Sequence, residues 1–157
     1  MKLGAIIAAL GLALATGCAT KGRVSGTPQE IHLYGVPVTL NLDDKPGPDG
    51  FAVRVYASRA ERARGIAVSS GAIEILAFDG VANDSFSERE PLKIWRFTTK
   101  ELPAHEAQTS LGMGYRFVLR WDQNKPARDH ITVLARYVPK SGRPVYSAPS
   151  AISARLK

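Results

Sequence analysis

The histidines are the natural first candidates for catalysis or metal binding, because imidazole moves protons and ligates metals near neutral pH. The chain has three, His32, His105 and His130, and their separations match no metal-ligand spacing. Its single cysteine excludes a multi-cysteine metal site and an internal disulfide framework. The sequence contains no G-x-S-x-G, S-x-x-K, P-loop or H-E-x-x-H motif. We therefore predict a non-enzymatic protein without cofactor or metal. The alternative is a hydrolase whose groups meet only in three dimensions.

A loop rich in carboxylates is the remaining candidate for metal binding. Asp43, Asp44 and Asp49 could present oxygen ligands to Ca²⁺. The loop lacks the alternating spacing and the terminal glutamate of an EF-hand, and Lys45 and two prolines interrupt it. These features favour a solvated turn.

Arginines on predicted strands form a possible binding surface for anions. The 21 Lys and Arg residues exceed the 14 Asp and Glu residues, for a net charge of +7, a moderate excess that does not indicate a nucleic-acid partner. Ordinary pairing with acids such as Glu74 and Asp122 would explain these arginines. Otherwise they form a docking surface for an anionic envelope polymer or an acidic envelope protein, since the guanidinium fork matches carboxylate and phosphate oxygens. The arginines concerned are Arg54, Arg96, Arg116, Arg120 and Arg136.

Alternating apolar and polar residues predict the strands that must position these groups. We expect seven or eight short strands over residues 31–157, forming a single antiparallel β-sandwich of immunoglobulin-like or transthyretin-like type. Gly35 and Pro37 predict a bulge or an edge position in the first strand. Capping-box spacing predicts short helical turns at 58–61 and 98–101. The strand segments are 31–42, 51–56, 73–78, 92–98, 113–121, 131–138 and one or two within 144–156.

The aromatic residues on these strands lie at inward-facing spacing. A ligand-binding platform is one interpretation of such a set. We favour a hydrophobic core, because a domain of this size depends on burying large side chains. The residues are Trp95, Phe97, Tyr115, Phe117 and Trp121.

The first 17 residues have the pattern of a secretion signal. Lys2 precedes an apolar run, Leu3 to Ala15, that is too short to span a bilayer of ~30 Å. The run ends at Ala15-Thr-Gly-Cys18, which resembles the lipobox of bacterial lipoproteins. That resemblance implies a diacylglyceryl group on Cys18. Because Ala19 is not the aspartate that marks inner-membrane retention, it also implies an outer-membrane anchor with the body facing the periplasm or the exterior. An ordinary cleaved signal with a chance cysteine is the alternative.

The segment after the anchor is small and polar. Residues 18–30 contain Gly22, Gly26 and Pro28 and show no apolar periodicity. We expect a flexible tether that joins the lipidated Cys18 to the sandwich, and a segment docked on the domain is the alternative.

One further resemblance concerns the first predicted hairpin. The stretch Val38 to Tyr56 reads VTLNLDDKPGPDGFAVRVY. It resembles the outer-membrane lipoprotein of the type VI secretion membrane complex, whose members share a lipobox, a transthyretin-like sandwich, an Asn-x-Asp…Pro loop and a Val-Arg-Val-Tyr strand. The resemblance implies an inner-membrane partner protein that reaches through the periplasm.

These features together predict a lipid-anchored cell-envelope protein that acts as a binding or scaffolding module. A component of a secretion-system membrane complex is the alternative, and a hydrolase is the third hypothesis. A pocket that joins a histidine to a carboxylate and a nucleophile would favour the hydrolase.

Overall fold

The computed structural model describes residues 23–81 and 89–155, and this part of the chain is almost entirely β-structure. Within it, eight strands have four or more residues and three have two, and a 3-10 helix, Leu102–His105, precedes β7. The predicted all-β fold with antiparallel sheets is confirmed. The strands are β1 Ser25–Gly26, β2 Glu30–Leu40, β3 Gly50–Ser58, β4 Ala67–Val68, β5 Ala72–Asp79, β6 Lys93–Thr98, β7 Glu106–Thr109, β8 Gly112–Arg120, β9 His130–Val138, β10 Val145–Tyr146 and β11 Ser150–Ser153.

The main sheet consists of two four-stranded halves. One half has the order β6-β5-β9-β11 and the other β2-β3-β8-β7, and β10 adds to β9. Neighbouring strands within each half are antiparallel. Within the described residues, strand pairing joins the halves only where β11 pairs parallel to β2, at Ser153 and Val38. Such a narrow junction allows the halves to fold over one another.

Aromatic rings from the two halves pack together in a shared core. Phe51 on β3 contacts Trp95 on β6, with ring centroids 5.4 Å apart. Phe97 on β6 contacts Phe117 on β8 at 4.3 Å, and Trp121 stacks on Phe51 at 4.8 Å. These contacts join strands at opposite ends of the strand order, an arrangement consistent with a sandwich.

The core prediction for the five aromatic residues is confirmed. Tyr115, Phe117 and Trp121 are fully buried, and Trp95 and Phe97 pack partly buried against the same cluster. The Tyr115 hydroxyl accepts a hydrogen bond of 2.7 Å from the Val68 N–H, and burial raises the pKa of this phenol.

Local patterns predicted most strands but not all turns. The ladder between β2 and β3 shifts register between Gly35 and Thr39, an irregularity of the kind predicted from Gly35 and Pro37. The helical turn expected at 58–61 is absent, because Arg62 N–H bonds the Arg59 carbonyl in a tight turn. At 98–101 the capping pair forms: Glu101 accepts bonds from the Thr98 N–H and hydroxyl, and the backbone bond is the main cause of its lowered pKa.

The segment expected to be a tether differs from that expectation over residues 23–30. Its β1 pairs parallel to β4, and the Gln29 N–H bonds the Ser58 carbonyl. Arg23 forms an ion pair with Glu106. Backbone hydrogen bonds thus hold these residues on the domain despite their polar composition, and ordered structure begins before residue 31. Residues 18–22 lie outside the described part of the chain.

Replacing Trp121 tests the shared core. We expect Trp121→Ala to lower the free energy of unfolding by about 3–5 kcal/mol, because it empties a fully buried aromatic site. Trp121→Phe should cost clearly less, since it keeps the ring on Phe51 and removes a buried Nε1 that has no hydrogen-bond partner. Urea titration followed by circular dichroism measures both values. A cost below about 1 kcal/mol for Trp121→Ala would contradict the assignment.

Candidate functional site

The outer face of β2, β3 and β8, opposite the core, gathers side chains in rows set by the strand register. One row contains Tyr34, Arg54 and Arg116. A second pairs His32 with Tyr56, and a third pairs Glu30 with Ser58. Four exposed apolar side chains belong to this face or border it, a concentration that marks interaction surfaces. They are Tyr34, Val36, Leu111 and Val118.

Arg54 and Arg116 stand directly opposite one another in the centre of this face. Both are exposed, and neither forms an ion pair with any carboxylate in residues 23–81 or 89–155. Like charges opposed across a ladder destabilise a sheet. The fold therefore places two guanidinium groups side by side without a neutralising partner of its own.

A groove of about 390 Å³ runs beside these arginines, and we call it the Arg54 groove. The ring of Tyr56 lies in it almost fully buried, in edge-to-face contact with Tyr34 at 5.7 Å. Its position depends on Gly114, where a Cβ atom would come within 2.8 Å of the Tyr56 ring. The groove offers apolar contact area next to paired positive charge. Its lining also includes Val36, Ala52, Leu111, Arg54 and Arg116.

A second concavity, of about 250 Å³, adjoins the groove through Tyr34, Tyr56 and Leu111, and we call it the Ser58 pocket. The Ser58 hydroxyl donates a hydrogen bond of 3.1 Å to Glu30 Oε2 and lies 3.3 Å from His32 Nε2. His32 Nε2 is 3.5 Å from the same carboxylate oxygen. The pocket therefore joins a histidine, a carboxylate and a hydroxyl.

The geometry of the Ser58 pocket differs from a catalytic triad. In a triad the serine and the carboxylate bind opposite nitrogens of the imidazole, so that the carboxylate orients the base. Here both groups lie beside Nε2, and the Ser58 proton goes to Glu30. Histidine then acts as a donor to the hydroxyl. This network suits holding β2 on β3 better than activating a nucleophile.

The other half of the sheet treats its arginines differently. Glu74 on β5 is buried and forms ion pairs with Arg96 on β6 and Arg136 on β9. Burial lowers the pKa of Arg136, but its bonds to Glu74 and Tyr146 outweigh that effect and leave the pKa raised. The ordinary-pairing interpretation therefore describes Arg96 and Arg136. These two lie on a different half of the sheet from Arg54, Arg116 and Arg120.

The other residues singled out from the sequence have local roles or lie outside the described chain. Arg120 donates to the Leu42 carbonyl, and Asp122 pairs with Lys93 rather than with an arginine. His105 packs against the rings of Phe97 and Phe117.

In the carboxylate loop, Asp49 Oδ1 accepts a bond from Leu42 N–H and Asp43 Oδ1 accepts one from Lys45 N–H. Across residues 23–81 and 89–155, no three His, Cys, Asp or Glu side chains form a metal-binding group. No helix in the same ranges is long and apolar enough to cross a membrane. Cys18 lies outside the described residues.

The row of Glu30, His32 and Tyr34 on this face and the approach of Ser58 to it were not predicted from the sequence. The alternation Glu30-x-His32-x-Tyr34 places three polar or aromatic side chains on one face of a strand, and this signal was available. The approach of Ser58 to that row depends on the hairpin register, which the residue pattern does not specify.

Comparison of the chain with family models, curated proteins and solved structures found no match. The hairpin that carries the type VI secretion resemblance is present as β2 and β3. The family itself stays a prediction.

Paired substitutions distinguish the free arginines from the neutralised ones. We expect Arg136→Gln to lower the free energy of unfolding by about 1–2 kcal/mol, because it removes a charged hydrogen bond to buried Glu74. Arg116→Gln should leave stability unchanged or raise it by up to about 0.5 kcal/mol, because it relieves repulsion from Arg54. Urea denaturation of both variants measures the contrast. A loss above about 1 kcal/mol for Arg116→Gln would show a stabilising partner for this side chain.

Proposed function

We propose that this chain is a lipid-anchored cell-envelope protein whose Arg54 groove binds an acidic segment of another envelope protein. The observation that carries the proposal is the unneutralised pair Arg54 and Arg116 at the centre of an exposed apolar and aromatic face. The lipobox resemblance at Cys18 supplies the location. The protein acts as a binding module and not as an enzyme.

The chemistry of the groove favours a protein over a polysaccharide as the occupant. A carboxylate that bridges the two guanidinium groups removes their repulsion and forms charge-assisted hydrogen bonds. Val36, Leu111 and Val118 present aliphatic surface, which gains free energy by burial against apolar side chains. An acidic segment with neighbouring apolar residues satisfies both requirements. An anionic envelope polymer satisfies only the first.

Site-specific photo-crosslinking in cells tests the proposal. A photoreactive residue at Val118 or at Leu111 should form adducts with a partner protein, because both side chains are exposed on or beside this face. The matched control places the photoreactive residue at Ile94, which is exposed on β6 in the other half of the sheet. It should form no adduct with the partner. In the background Arg54→Gln/Arg116→Gln, the Val118 adduct should fall at least about tenfold, corresponding to ~1.4 kcal/mol of lost binding.

Two outcomes would contradict the proposal, the first in the crosslinking experiment and the second in a pull-down on purified polymers, and a third outcome would select the alternative function. Equal adducts in the wild-type and double-variant backgrounds would show that the arginines do not bind the partner. A polymer ligand would be identified if no protein adduct formed and if purified peptidoglycan or lipopolysaccharide retained the wild type but not the double variant. An adduct with an inner-membrane protein of a secretion complex would support the alternative function.

The Ser58 pocket is the specific observation that favours a hydrolase as second candidate. If Ser58 acts as a nucleophile, Ser58→Ala should abolish turnover of small ester substrates. Ser70→Ala, at a serine outside the pocket, should then leave that turnover unchanged. We expect the wild type and both variants to show no turnover that depends on Ser58, because the Ser58 proton is donated to Glu30 and the hydroxyl is buried. Turnover that disappears only in Ser58→Ala would overturn the non-enzymatic proposal.

A further inference from the structure

A third concavity lies where residues 23–26 meet the segment 59–66, and we call it the arginine pocket. It measures about 460 Å³, and Arg23, Arg62 and Arg64 line it. Arg23 pairs with Glu106, whereas Arg62 and Arg64 have no ion-pair partner in the described part of the chain. The pocket therefore presents two exposed, uncompensated guanidinium groups.

A fourth arginine lies beside the pocket. The guanidinium of Arg59 covers the backbone of Gly26, where a Cβ atom would come within 2.0 Å of it. Glu61 is the only carboxylate of the segment 59–66 and is itself exposed. Val24, which is 44% exposed, lines the pocket on the side of the N-terminal segment. Positive charge thus exceeds negative charge here, beside a small apolar contact.

The path of the chain places this pocket close to the proposed anchor. Residues 23–30 are held on the domain by β1 and by the Gln29 bond, so they contribute no free tether. Five residue steps separate Arg23 from Cys18, a span of at most about 18 Å. A lipid on Cys18 would therefore hold the arginine pocket within that distance of the bilayer surface. This step rests on the lipid anchor in the proposed function.

We propose that the arginine pocket docks the domain on anionic phospholipid headgroups of the anchoring membrane. Phosphate oxygens match the guanidinium fork of Arg62 and Arg64, and surface potential attracts basic side chains held near an anionic leaflet. The Coulomb attraction extends about one Debye length, ~8 Å at physiological salt. The five residue steps to Cys18 allow the pocket to come within that distance of the headgroups. The anchor supplies proximity, and the arginines fix the face that contacts the membrane.

The experiment uses the mature, acylated protein reconstituted into vesicles of phosphatidylcholine alone or mixed with phosphatidylglycerol. Hydrogen–deuterium exchange is measured for the amides of residues 59–66. We expect exchange to slow on the order of tenfold on the anionic vesicles only, since docking covers this segment. The slowing should disappear at about 1 M salt, where the Debye length is ~3 Å.

Matched variants assign the effect to the pocket. Arg62→Gln/Arg64→Gln should lose the slowing, whereas Lys140→Gln/Arg143→Gln, with the same charge change in an exposed turn outside the pocket lining, should keep it. Thermal midpoints equal to wild type establish that each variant is folded, as expected for exposed basic side chains that form no ion pair within the described part of the chain. Equal exchange on neutral and anionic vesicles, or equal loss in both variants, would overturn the proposal.

Two further measurements distinguish membrane docking from the binding of soluble phosphate and from loss of the anchor. Inorganic phosphate added to the protein on neutral vesicles should not slow exchange. If it does, the pocket is a site for soluble phosphate and the membrane assignment is wrong.

The mass of the peptide containing Cys18 reports acylation independently. Failure to acylate or to enter vesicles would refute the anchor, whereas unchanged exchange in incorporated protein would refute only the docking. The groove variant Arg54→Gln/Arg116→Gln should dock normally.

Discussion

The contact between β6 and the β3–β8 pair is the interaction on which the rest of the structure depends. Within the described chain, strand pairing joins the two halves of the main sheet only where β11 meets β2. Ring packing of Trp95 and Phe97 against Phe51 and Phe117 is what brings β6 back over the opposite half. Burial of these rings supplies several kcal/mol and fixes which face of each strand points inward.

Because the inward-facing side chains of the strands are buried in the core, only those on the outer faces of the sheet can contact a partner. The two halves use that freedom in opposite ways. Glu74 sits between Arg96 and Arg136, so each guanidinium has a partner and the network stabilises the sheet. Arg54 and Arg116 oppose each other with no ion-pair partner among residues 23–81 and 89–155, an arrangement that costs stability. A partner that neutralises them offsets this cost, which is why the groove beside them is the stronger candidate for function.

The docked N-terminal segment changes how the proposed anchor acts. A free chain from residue 18 to 30 would let the domain reach roughly 40 Å from a membrane in any orientation. With residues 23–30 held on the domain, at most five residue steps separate Cys18 from the part of the chain that contacts the domain. Under the proposed anchor, the arginine pocket, which Arg23 helps to line, would be the surface that the domain turns toward the membrane.

The sequence by itself determined most of the strands, the irregularity near Gly35 and the buried aromatic residues, because strand alternation and turn residues are local signals. Only the tertiary structure decided which arginines meet. Arg54 and Arg116 were readable as outward-facing residues, but their opposition comes from the register of β3 and β8, which is set by core packing. The same holds for Ser58 beside His32, and for the two-residue strands β1 and β4. Two residues carry too little periodicity to be recognised, and their pairing depends on long-range backbone hydrogen bonds.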